Sequence, residues 1–276
     1  MNDEERAFSQ LKTTRLPSAT IVDVRYDTPT PQIALRVAGR LLLCGDWGID
    51  LSIDGKPVPA AGTWECLCFN SDKDGDYLEL QLMAREDVRV ERFIYLPRVP
   101  GPLVLADAVY AIGAGQVDCT MRLPLVEGQV MEPDRPTREL RVRRGGRTEM
   151  RVFPLLSEQD RILHDPRTVA PVDGTGIQHK GLGRGGFFPV IIDFDASRRT
   201  LRAVWRRATV SEHLTVLPSD RAAGYRWKCG DVHWVVYRTL TPGKEGRAVL
   251  GLHTRNETVV AKMDSTGRVL PLVAIE

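Results

Sequence analysis

VRVERFIYLPRVPGPLVLADAV, residues Val88 to Val109, decides the fold. Val88, Val90, Arg92, Ile94 and Leu96 fall on one side of a two-residue period, and Arg89, Glu91, Phe93 and Tyr95 on the other, the repeat of a β-strand. Leu103-Val104-Leu105-Ala106 is apolar on both sides and ends on Asp107, as expected of a strand covered on two faces. Between them Arg98 to Pro102, RVPGP, cannot carry a ladder, because proline lacks the backbone donor. The stretch predicts a long hairpin around which the chain is organised.

Working outward, short alternating runs dominate. Upstream they are Ile21 to Tyr26, Gln32 to Val37, Arg40 to Cys44, Ile49 to Ile53, Trp64 to Phe69 and Tyr77 to Met83. Gly, Pro and Asp clusters separate them. Downstream, Gln116 to Leu125, Leu140 to Arg143, Thr148 to Phe153, Phe187 to Phe194 and Leu201 to Arg207 continue the series, followed by five more runs from Tyr225 to Ile275. One short helix is expected at Glu4 to Leu11, before Pro17. The expectation is an all-β fold, a large antiparallel β-sandwich of roughly eighteen strands with little helix. Residues 1–18 read as an N-terminal tail and 19–276 as one domain, with a long Gly-, Pro- and His-containing loop at 155–186.

The 276 residues carry 38 basic and 36 acidic side chains, a formal charge of +2. That balance gives no global attraction to nucleic acid or membrane, so neither is expected as a partner, and an anionic partner needs a local patch. The odd count of five cysteines lacks the dense even pattern of a disulfide scaffold, and Cys66 and Cys68 read as buried thiols. The acidic start MNDEERAFSQ has no apolar h-region, so a cytoplasmic location is expected if Met1 is the natural start.

Few motifs carry chemistry. Gly181-Leu182-Gly183-Arg184-Gly185-Gly186 fits GxGxxG, but a strand rather than a helix follows, so it reads as a turn and no cofactor is expected. Asp72, Asp74 and Asp76 crowd a hairpin loop without EF-hand spacing, and no metal is assigned. The histidines, His164, His179, His213, His233 and His253, lack ligand spacing. The tryptophans sit mostly inside strand patterns and read as core.

The basic signal is local. Arg138, Arg141, Arg143, Arg144, Arg147 and Arg151 fall on one hairpin, with Arg141 and Arg143 on the face opposite Leu140 and Val142. Guanidinium groups suit carboxylate and sulfate, so the hairpin is a candidate surface for an acidic polysaccharide; the plain alternative is the charged face of an edge hairpin. The candidate ligand-binding residues are Arg141, Arg143, Arg147, His164 and His179.

The succession WECLCFNSDKDGDYLELQL, VRVERFIYLPRVPGPLVLADAV, GYRWKCGDVHWVVYRTL and AVLGLHTRNETVVAKMDSTGRVLPLVAIE resembles the C-terminal β-sheet region of heparinase II/III-like proteins, over roughly Gln32 to Glu276. The resemblance implies a supersandwich, which in that family packs on an α/α toroid. Nothing in this chain reads as the toroid's paired helices, and the His-x-His-x-Asp type segment that opens the lyases' sheet region is missing. No catalytic residue carries over. The expected role is a non-catalytic carbohydrate-associated or structural module, with an acidic polysaccharide or a toroid protein as partner. Two alternatives stay open. One is a lyase or other sugar-modifying enzyme using His164, His179 or His213 with Tyr225 or Tyr237; the other is an oligomerisation domain without ligand.

Overall fold

The computed structural model describes residues 8–12, 20–60, 62–99, 101–113, 115–134, 136–157, 159, 169–243 and 245–276. Among them are 26 strands and one three-residue 3-10 turn, Ala196–Arg198. The fold is all-β, as the sequence predicts. The count exceeds eighteen because two- to four-residue ribbons such as Val210–Glu212, Thr215–Val216 and Leu252–Thr254 are too short to show a period.

The expected hairpin is present: Val88–Pro97 pairs antiparallel with Leu103–Ala111, placing Arg92 opposite Asp107 and Tyr95 opposite Val104. It occupies the middle of an eight-stranded sheet. Gly75–Arg85 and Glu65–Ser71 extend the sheet on one side. Gly185–Asp193, Arg147–Pro154, Leu140–Arg144 and Gln129–Pro133 extend it on the other.

Both faces of this sheet are covered, which is why its central strands are buried almost throughout. On one face lies a five-stranded sheet containing Gly48–Ile53, Gln116–Arg122 and Gly176–Leu182. The contacts to it include Arg92 on the Trp47 carbonyl and His179 against Phe188, ring centroids 5.5 Å apart. On the other face lies a five-stranded sheet built on Ala222–Cys229 and Val232–Thr239. Tyr95 meets Trp234 at 5.7 Å, and Phe153 meets Trp205 at 5.3 Å and Trp227 at 5.4 Å. Its outer side packs a smaller cluster, Tyr237, Val259 and Ala261 against Val210 and Val249, under a four-stranded sheet. A further four-stranded sheet, with Thr20–Arg25, Gln32–Val37 and Arg40–Asp46, contributes Val22, Ile33 and Leu35 to the main core. All five tryptophans are buried, as core residues should be.

Several expectations need correction. Phe8–Lys12 is a strand paired with Thr20–Arg25, so the residues read as the end of a helix add an edge instead. Part of 155–186 is also not loop. Val169–Val172 and Gly176–Leu182 are paired strands; the first is short and carries a proline, the second is polar with two glycines, and tertiary pairing rather than apolar alternation holds them. Cys66 is exposed and Cys68 half-buried, because their strand is the sheet's edge and bulges between them.

Arg92 and Asp107 are both fully buried, with Nε 3.0 Å from Oδ1 and Nη2 3.3 Å from Oδ2. Truncating one partner of such a pair leaves a charge in the core. Asp107→Ala is therefore expected to lower unfolding free energy by about 3–5 kcal/mol in urea titration, with Arg92→Met/Asp107→Leu recovering much of that loss.

Candidate functional site

The arginine hairpin exists, but its members have different fates. Leu140 and Val142 face the core, and Arg141 and Arg143 lie half-buried on the opposite side. Arg141 is held 3.2 Å from both Asp134 and Glu139. Arg143 approaches Glu132 at 3.6 Å on an exposed face. Arg151 is buried in a two-point pair with Glu139, both contacts 2.7 Å, and donates to the carbonyls of Arg198 at 2.6 Å and Leu201 at 2.9 Å. These arginines are structural partners of carboxylates.

Arg147 differs. It is exposed, its backbone pairs with Arg144, and among the described residues its side chain has no hydrogen-bond or ion-pair partner. It lines a cleft of about 350 Å³ together with Arg40, Glu149 and Arg199. The cleft lies where the turn between Gln32–Val37 and Arg40–Asp46, the end of Val88–Pro97, the start of Arg147–Pro154 and the Asp195–Arg199 corner meet. Val37, Leu42, Leu96, Pro97, Val99 and Phe194 supply its apolar walls.

Local structure sets each polar group. Thr148 pairs with Arg143 and Met150 with Val142, so Glu149 is the extra residue of a β-bulge and turns toward the cleft. Burial works to raise the Glu149 carboxyl, but hydrogen bonds from Gln129 at 2.8 Å and Arg144 at 3.1 Å, with the charges of Arg144 and Arg40, hold it below the usual range. At the corner, Asp195 accepts the Ser197 N–H at 2.8 Å, and Arg198 is clamped by Asp193 at 2.7 and 3.0 Å. The next residue, Arg199, is thereby presented to the cleft. Its buried Nε has no hydrogen-bond partner among the described residues. Burial, then the neighbouring charges of Arg147 and Arg40, push this guanidinium down from its ordinary value.

The lining contains no His, Tyr, Cys or Lys among the described residues. Its one buried carboxylate is held ionised by arginines. The arrangement suits binding an anion more than moving a proton.

The remaining sequence candidates lie elsewhere. His164 lies outside the described residues. His179 is fully buried, with neither ring nitrogen hydrogen-bonded among the described residues, and burial pushes it down to about 3. It is a neutral core residue rather than a ligand contact. His213 is exposed, 3.4 Å from Glu245, while Tyr225 and Tyr237 are buried. Gly183 sits at φ +104°, and a Cβ at Gly186 would collide with Phe188, so GxGxxG serves a hairpin turn and a close approach. Asp72 accepts the Asp74 and Gly75 N–H groups at 2.8 and 3.1 Å, and Asp76 pairs with Arg98, so the acidic loop satisfies itself. No cluster of three metal-type ligands occurs among the described residues. None of their helices is long and apolar enough to cross a membrane.

Sequence reasoning missed Arg40, Glu149 and Arg199. Arg40 and Glu149, which form an ion pair, are 109 positions apart, and each arginine sits at a turn, where charge is ordinary.

No family model matches the chain, and no curated protein matches it. Solved structures do. Heparan sulfate lyase HepC from Pedobacter heparinus aligns with TM-score 0.58 at 10% identity, over 87% of this chain and 42% of that one. The crystal structure of heparinase III aligns with TM-score 0.55 at 11% identity, over 85% and 42%. This chain has a heparinase III-like β fold. It spans about two fifths of the length of each of these proteins, and at these identities the likeness establishes the heparinase III-like fold alone.

Histidine 179 gives a test of the core assignment. A histidine kept neutral by folding contributes stability that is present above the unfolded value of about 6.5 and is lost as pH falls toward the folded one. Between about pH 7 and about pH 5 the protein should lose about 2 kcal/mol through this group. His179→Leu should show a flatter acid limb in urea titrations at the two pH values.

Proposed function

We propose that this chain is a non-catalytic, carbohydrate-associated β-sandwich module that holds an acidic glycan through its arginine-lined cleft. The observation that carries the reading is the cleft itself: Arg40, Arg147 and Arg199 converge beside apolar walls, with Glu149 as the buried carboxylate among them. Guanidinium forks match the planar carboxylates and the sulfates of such polymers. The heparinase III-like fold supports a carbohydrate association, since the structures sharing it include a heparan sulfate lyase. Arg143, half-buried on the hairpin that carries Arg147 and loosely held by Glu132 at 3.6 Å, adds to the cationic surface. A helical toroid protein is the natural macromolecular partner, because the lyases that share the fold are more than twice as long as the matching part. A lining without His, Tyr or Lys among the described residues supports binding without turnover.

Two measurements on the intact chain test this. On immobilised acidic polysaccharide the protein should be retained in a salt-dependent way, and Arg147→Gln should elute at lower salt. Incubation with the same polysaccharides should produce no rise in the ultraviolet absorbance of unsaturated uronate. A rise would make the chain a lyase, and absence of retention would remove the glycan from the proposal.

A further inference from the structure

Elsewhere among the described residues, buried arginines come with their own carboxylates. Arg92 has Asp107, Arg151 has Glu139, Arg198 has Asp193, and Arg238 has Glu79 and Glu91. The cleft breaks the pattern. Four guanidinium groups, Arg40, Arg144, Arg147 and Arg199, gather around Glu149, and Arg40 and Arg144 already bind it. Asp195, also in the lining, is taken by Ser197 and by Arg198 at 2.9 Å. Arg147 and the Nε of Arg199 are left over.

Leaving a buried N–H of a cation unpaired costs free energy that an incoming acceptor returns. Arg147 and Arg199 repel each other, Glu149 and Asp195 offset this for Arg199 only in part, and an oxyanion between the two guanidiniums converts repulsion into attraction. The walls restrict what that oxyanion is attached to. Val37, Leu42, Leu96, Pro97, Val99 and Phe194 offer an apolar surface suited to the flat face of a ring, and about 350 Å³ is room for one ring rather than a polymer segment.

The geometry points to a discrete oxyanion seat: Arg147 and Arg199 hold one sulfate or carboxylate group, and the apolar face of the ring that bears it lies against Leu42, Leu96 and Phe194. Glu149 acts as a positioning residue, keeping Arg40 and Arg144 away from the seat. The inference rests on the glycan-module reading only for where the ligand comes from, a charged sugar ring of a polymer or a free ring-bearing anion; the chemistry recognised is the same.

Calorimetric titration of the full chain with phenyl sulfate, inorganic sulfate, phenol and heparan sulfate separates these outcomes. Phenyl sulfate should bind one to one, at least about tenfold tighter than inorganic sulfate, and phenol should not saturate. Arg147→Gln and Arg199→Gln should each weaken phenyl sulfate by about tenfold or more, as expected for a lost charge-assisted hydrogen bond. Arg85→Gln, at an exposed pair with Asp87 away from the cleft, should leave binding unchanged. Near-ultraviolet dichroism checks that the variants fold. In addition, the Arg199 Nε–H resonance should move on titration. Unchanged affinity in both cleft variants, or no saturable binding of phenyl sulfate, overturns the seat, even if heparan sulfate still binds. Phenyl sulfate binding without heparan sulfate binding keeps the seat and removes the glycan module.

Discussion

The Arg92–Asp107 pair is the constraint on which the layers depend. Two full charges sit at zero exposure in the middle of an eight-stranded sheet, where desolvation is expensive and only complete satisfaction makes the arrangement tolerable. Asp107 takes two guanidinium nitrogens. The remaining donors reach the carbonyls of Trp47 and Gly48, and the guanidinium carbon lies 3.9 Å from the Trp47 ring centroid and 5.1 Å from that of Trp64. Those carbonyls belong to the segment entering the covering sheet. One side chain thus fixes the hairpin's register and the position of the layer stacked on it.

The opposite face uses the same device. Arg238, from the second covering sheet, is 2.7 Å from Glu79, also binds Glu91, and donates to the Tyr110 hydroxyl at 3.2 Å. Tyr77 donates to Glu79 at 2.6 Å. Burial raises Glu79, partly offset by Arg238, while Arg89 shares Glu91 at 2.9 Å from the more exposed side. Such pairs contribute little net stability compared with apolar replacements, but they penalise any misaligned stacking by leaving charge unpaired. Apolar and aromatic burial supplies the drive to stack.

This organisation explains where a ligand can be held. Flat stacked sheets bury their faces and leave concave surface at corners, where the ends of several strands meet. The cleft is such a corner, and it departs from the internal habit of pairing each arginine with a carboxylate. The Glu149 bulge and the Asp195–Arg199 turn, both local irregularities, aim its charges. On this heparinase III-like scaffold the corner gathers Arg40, Arg147 and Arg199 beside apolar walls.

The sequence by itself determined the β class, the central hairpin of Val88 to Val109, the core role of the tryptophans and the inward Leu140 and Val142. All follow from a two-residue period, which is local and survives without knowledge of neighbours. Tertiary structure alone decided the rest. Glycine-rich Gly176–Leu182 became a strand because Gln116–Arg122 pairs with it, and Cys66 came to the surface because its strand is an edge. Of the arginine row, Arg141 and Arg151 were drawn into carboxylate pairs, while Arg147 joined Arg40 and Arg199 from distant turns. Side-chain type shows which arginines could bind an anion; only the packing of strands remote in sequence leaves one of them without an internal partner.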